Sequence, residues 1–289
     1  MSNRPTYLLG MGATKAGTTW AYRYLAGHPD CHMRSVKELH FFDSLDKGFE
    51  RQIKVNQAKL ERFEAQLKEA RTPRVERTVR DLQEWLSVLR EPSVEAYRSY
   101  LEGWRGAKKL VGDITPAYAD LSAESLQKLV SVNEDVRGLY LMRDPLARMW
   151  SHVRMVASRS KAGQADFAGE CARVLDRVLA GEPSEIALRS DYQSAVTRLQ
   201  GAFAPERLLI QFQERLLTPP GLKQLCEFLG IRGHAADTSV RVHEGPALPM
   251  TADQKARMRA YLRPQYDFVA KAFPALPDSW RANLDGVTA

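Results

Sequence analysis

A three-layer α/β fold, with a central parallel sheet flanked by helices, is predicted for this 289-residue chain by three observations. Short apolar runs are followed by helical patterns at 7–11 then 18–25, at 139–142 then 145–157, and at 208–212 then 221–229. That alternation reads as βαβ units around a parallel sheet. The first strand-to-helix junction carries two glycines at the spacing of a phosphate-binding turn, which makes the fold P-loop-like. Between the first and second units lies a stretch of another kind, 51–105, dense in charge and helical in period.

Taken in order, Tyr7-Leu8-Leu9-Gly10-Met11 is the first strand and 18–25 its helix, and Cys31-His32-Met33 is a weaker strand. In the insertion, Leu60, Phe63, Leu67 and Ala70 recur at helical spacing, as do Val79, Leu82, Leu86 and Leu89. Thr72-Pro73 separates the two runs and Glu91-Pro92 ends the second, so a helical pair with one apolar face is expected. Its charged face reads as solvated, the alternatives being a lid over a site or a dimer contact. Lys109-Leu110-Val111-Gly112 is a further strand. The last unit ends on Gly230, suited to the residue just past a helix. Nothing reads as a linker, and the expectation is one domain over 1–289.

Lys and Arg exceed Asp and Glu by 42 to 35, a net charge of +7 that suits an anionic ligand. The basic residues are dispersed, without the Lys/Arg blocks or signatures of nucleic-acid binding. Three widely spaced cysteines, with no Cys-x-x-Cys, argue against a disulfide scaffold or zinc site and fit a reducing cytoplasm. No stretch approaches eighteen apolar residues and the N-terminus does not read as a signal peptide, so no membrane span is expected.

The chemistry concentrates in Gly12-Ala13-Thr14-Lys15-Ala16-Gly17-Thr18-Thr19-Trp20. Gly-x4-Gly between a strand and a helix is the spacing of a Walker A loop, which continues with Lys and then Ser or Thr. Here Thr18 occupies the lysine position, and the lysine lies inside the loop at Lys15. The spacing alone also fits an ordinary strand-to-helix turn. Strand context, Lys15 and the hydroxyls of Thr18 and Thr19 favour a phosphate, but not a nucleoside triphosphate with magnesium.

Thr14–Trp20 resembles the 5′-phosphosulfate loop of sulfotransferases, enzymes that use 3′-phosphoadenylyl sulfate (PAPS) as sulfuryl donor. Lys37-Glu38-Leu39-His40-Phe41-Phe42-Asp43 is similar to the Lys-Glu-x-His-Phe-Phe-Asp segment of Golgi heparan-sulfate and bacterial sulfotransferases. Gly112-Asp113-Ile114-Thr115-Pro116-Ala117-Tyr118 resembles their Gly-Glu-x-Thr/Ser-Pro-x-Tyr segment. Leu139–Pro145, with Ser151 eight residues after Arg143, resembles their 3′-phosphate site. The Golgi relatives carry a membrane anchor that this chain lacks, which points to a bacterial-type cytoplasmic enzyme.

The resemblance implies that Ala16, Gly17, Thr18 and Thr19 donate to the 5′-phosphate, that Lys15 stabilises the leaving phosphate, and that Arg143 and Ser151 hold the 3′-phosphate. Trp20 is either a platform for the adenine or a core aromatic of the first helix. Glu38 is the expected general base, with the Phe41-Phe42 pair desolvating it and raising its pKa. His40 is the next catalytic candidate, and Asp43 lines the acceptor site. The acceptor is a small molecule, carbohydrate or lipid, no metal is expected, and a homodimer is compatible. An Arg143–Asp144 ion pair at a helix start is the structural alternative for that arginine.

Two departures stand out. Asp113 is one methylene shorter than the usual glutamate. The family's Lys-Gly-Arg loop is replaced by His243-Glu244-Gly245, leaving backbone groups or Arg241 as substitutes for the two missing cations. A P-loop-like nucleotide kinase and a non-catalytic binder of adenosine 3′,5′-bisphosphate (PAP) are the rival readings. Thr18 in the Walker position opposes the first; the presence of both Lys15 and Glu38 opposes the second.

Overall fold

A computed structural model describes residues 4–236, 245–273 and 275–285. At its centre is a five-stranded, wholly parallel sheet in the order β2-β3-β1-β4-β5. The strands are β1 Thr6–Gly10, β2 Cys31–Met33, β3 Leu110–Ile114, β4 Val136–Met142 and β5 Leu208–Phe212. Parallel strands covered on both faces need continuous rather than alternating apolar residues. Tyr7, Leu8 and Leu9 are accordingly fully buried, and β3 is buried along its whole length.

α1 (Thr18–Gly27) follows β1, and α2 (Phe41–Lys47) lies beyond β2. The insertion is three helices rather than the expected pair: α3 Glu50–Glu69, α4 Pro73–Arg90 and α5 Val94–Glu102. Thr72 caps α4 by accepting from the Val75 amide, with Pro73 in the first turn. Pro92 ends the second run as expected, but Ser93 then caps α5 by accepting from Ala96. The apolar face of α4 does not form a separate core. Trp85 packs among Phe41, Tyr97 and Tyr100, so the insertion is continuous with the core beneath the sheet.

On the far side, α6 (Ala123–Val130) precedes β4 and α7 (Pro145–Arg159) follows it. α7 packs through Leu146, Met149 and Val153 on the helices Phe167–Leu179 and Ala252–Ala272. All three cysteines are buried free thiols. Among the described residues no helix is long and apolar enough to cross a membrane.

β1 is flanked by β3 on one side and β4 on the other, so the loops at its C-terminal end diverge to opposite faces. In open α/β sheets that divergence creates the crevice where ligands bind.

Candidate active site

The loop after β1 is held from behind. The Met11 and Ala13 amides donate to Leu139 O at 2.9 Å and Leu141 O at 2.6 Å, extending the pairing with β4. Arg189 donates to Thr14 Oγ1 at 2.6 Å, Arg148 to the Thr14 carbonyl at 3.4 Å, and Arg143 to the Lys15 carbonyl at 3.2 Å. Gly17 adopts a left-handed φ of 88° as it enters α1, with no side chain capping the helix. The first-turn N–H groups of Thr18 and Thr19 therefore have no intrahelical partner, which suits an anion. Ala16 departs from the expectation: its amide donates to Ala13 O at 3.1 Å, and its side chain is buried.

A cleft of about 1830 Å³ opens in front of this loop. Its first end is lined by Lys15, Thr18, Thr19, Arg143, Ser151, Arg154 and Arg159. Burial lowers the Lys15 pKa, and Arg143, Arg159 and Arg154 lower it further. Arg143 does not pair with Asp144. That carboxylate caps α7 and is held by Tyr266 at 2.8 Å and Asn283 at 3.1 Å, while the Tyr192 hydroxyl braces the Arg143 backbone. Arg148 is fully buried and donates to neutral acceptors, the carbonyls of Thr14 and Ile186 and the Ser190 hydroxyl. His152 is buried too, its pKa pushed down to about 3 by burial and by Arg148, Arg189 and Lys15, so the ring is neutral. Trp20 meets both of its alternatives: it is buried and stacked on Tyr24 at 5.6 Å, and it also borders the cleft.

The second end is built by the loop between β2 and α2, where Glu38 and His40 both hold left-handed backbone, with φ of 60° and 55°. Such conformations cost on the order of 1–3 kcal/mol per non-glycine residue and persist only where surrounding contacts impose them. Here Leu39 and Phe41 turn into the core, and Glu38, His40 and Asp43 line the cleft. His40 Nδ1 lies 2.9 Å from Asp43 Oδ2 and its Nε2 3.7 Å from Glu38 Oε2; Lys37 donates to Glu38 at 2.9 Å. Burial alone would depress His40, but the hydrogen bonds to Asp43 and Glu38 raise its pKa to about 9.

Glu38 behaves opposite to the sequence expectation. Burial pushes its pKa up, but His40 and Lys37 outweigh that and bring it down to about 2. The Phe41-Phe42 pair is fully buried and packs on Tyr97. Among the described residues no group of three or more His, Cys, Asp or Glu side chains is arranged to hold a metal ion.

Arg154 and Arg159 were not singled out from the sequence, although they share a stripe of α7 with Ser151, Met155 and Ser158. That polar period was their signal. Arg189 and its partner Asp120, 3.5 Å apart, also line the cleft and come from segments with no local motif. His243, Glu244 and Arg241 lie outside the described residues. Gly245 borders the cleft, and Arg154 donates to Pro246 O at 3.1 Å.

Comparison with known proteins identifies the family and the fold. A profile described as the sulfotransferase family matches residues 8–235. A sulfotransferase from Alicyclobacillus acidocaldarius aligns at 21% identity over 96% of this chain and 99% of its own, with a TM-score of 0.63. The sulfotransferase domain of the Synechococcus PCC 7002 olefin synthase aligns at 17% identity over 89% of this chain and 94% of its own, with a TM-score of 0.48. No curated protein is matched.

Proposed function

Because this chain belongs to the sulfotransferase family, we propose that it transfers the sulfuryl group of PAPS to a hydroxyl or amine of a small-molecule, carbohydrate or lipid acceptor. The observation that carries this reading is a single cleft joining the cationic end around Lys15 and Arg143 to the Glu38–His40–Asp43 loop. The reading takes 1–289 as one catalytic domain whose insertion contributes Arg51 and Gln52 to the cleft wall.

PAPS supplies an SO3 group on a phosphate leaving group, with a second phosphate on the ribose. The residues present fit both ends. The unpartnered N–H groups and hydroxyls of Thr18 and Thr19 hold the 5′-phosphate at the helix N-terminus. Arg143 offers the ribose phosphate a planar fork and Ser151 a hydroxyl. The Lys15 ammonium stabilises charge developing on the oxygen between sulfur and phosphorus. Glu38 is ionised above about pH 2, so one carboxylate oxygen is ready to take the acceptor's proton. As that proton moves, the acceptor oxygen or nitrogen bonds to sulfur and the sulfur–oxygen bond to the phosphate breaks. A weak base suffices where, as in phosphoryl transfer, bond breaking runs ahead of bond making. His40, held protonated by Asp43, fixes the direction of the Glu38 carboxylate.

A thermal melt tests the donor assignment. PAP at 100 times its dissociation constant is expected to stabilise the protein by about 2.7 kcal/mol without added magnesium. Adenosine 5′-phosphate at the same concentration is expected to give a much smaller shift. Equal shifts would remove Arg143 and Ser151 from the donor site.

A further inference from the structure

Asp113 lies on β3, buried beneath the cleft and not among its lining residues. Three hydroxyl groups donate to its carboxylate: Tyr97 at 3.0 Å and Tyr118 at 2.7 Å to Oδ2, Thr115 at 2.7 Å to Oδ1. Each hydroxyl has one proton, and the carboxylate takes it, so its oxygen is free to accept. Two of them do. Thr115 Oγ1 accepts the Leu39 amide at 2.9 Å, and Tyr118 Oη accepts the Phe41 amide at 3.0 Å. Those two amides bracket His40, and Leu39 separates it from Glu38; both His40 and Glu38 hold left-handed backbone.

We propose that Asp113 is the positioning residue for the acceptor loop, setting Glu38 and His40 in the cleft through Thr115 and Tyr118. Its carboxylate orients both hydroxyls; the hydroxyls pin alternate amides; and His40 between them, with Glu38 just before Leu39, is turned toward the cleft. The shorter side chain is no handicap, since it reaches all three donors within 3.0 Å. An amide at this position presents an N–H₂ toward one or more hydroxyl protons and breaks the direction of the relay. That this positioning serves sulfuryl transfer rests on the reading above; that it holds the loop does not.

The experiment compares Asp113→Asn, Tyr118→Phe and Thr115→Val in the full-length protein, with His40 followed by NMR titration and PAP binding by calorimetry. In the unaltered protein the His40 ring is expected to stay protonated to about pH 9. In the variants its pKa is expected to fall toward the ordinary value of about 6.5, with PAP affinity held within about twofold. Tyr118→Phe keeps the ring, so it carries the test should Asp113→Asn fail to fold. An unchanged His40 titration in both Tyr118→Phe and Thr115→Val would overturn the proposal. Absence of PAP binding to the unaltered protein would instead overturn the donor assignment and leave the His40 measurement standing.

Discussion

The two ends of the cleft handle charge in opposite ways. At the cationic end Lys15, Arg143, Arg154 and Arg159 line one opening, Arg148 is buried on neutral acceptors, and His152 is kept neutral. At the loop end charges are matched at close range: Lys37 with Glu38, and His40 with Glu38 and Asp43. At the first end burial lowers the Lys15 pKa and repulsion from Arg143, Arg159 and Arg154 lowers it further, a repulsion that an anionic ligand relieves. The Glu38–His40–Asp43 cluster of the second end has its charges matched within the protein. One end thus suits an anionic ligand, while the other matches charges of its own.

The largest expected effect separates the two ends by mutation. Glu38→Gln should lower single-turnover sulfuryl transfer by roughly 10²–10⁴-fold, the range for a positioned base, while PAP affinity stays near normal. Lys15→Ala should lower both affinity and rate, because that ammonium acts on bound and reacting states alike. A Glu38→Gln variant that transfers at the unaltered rate would break the division and leave His40 as the candidate base.

Next in size is the pH response of the loop end. The His40 pKa is raised to about 9, so its contribution is complete below about 6.5 and is lost as pH rises through 9. The full loss is on the order of 3 kcal/mol. The Glu38 pKa is lowered to about 2, so its contribution is present above the ordinary carboxylate range and is lost as pH falls through 2. Both count the same Glu38–His40 contact and do not add. Thermal melts should therefore decline from pH 6.5 to 9, and His40→Gln should flatten that decline; a slope unchanged in the variant would place the titration elsewhere. The smallest effect sharpens the other end. Arg154→Ala should weaken PAP binding by roughly tenfold, about 1.4 kcal/mol, with a shallower salt dependence by calorimetry, and no change in either would exclude it from the donor site.

Much of the cationic end of the cleft was legible because it is local. A strand, a loop of fixed spacing and a helix start are written in consecutive residues, and Arg143 with Ser151 share one helix junction. The strands β2 and β5 appeared where their apolar runs lay. The loop end was legible as a motif but not as an environment. Where Phe41 and Phe42 pack depends on Tyr97 of α5 and on Tyr118, more than fifty residues downstream. The sign of the Glu38 shift differed too, because ion pairs with Lys37 and His40 won over desolvation. The third insertion helix was missed because Ser93 restarts a helix directly after the proline that ends the previous one.

Tyr97, on α5 of the insertion, completes the trio of hydroxyls around Asp113. The insertion is therefore not an interchangeable cassette. A relative's helices grafted over 50–102 would have to bring a hydroxyl to that point, or leave a buried carboxylate one donor short. An exchange meant to alter only the rim of the cleft would then register as a defect in the loop that carries Glu38. Surface redesign of α3 and α4 is free of this constraint; α5 is not.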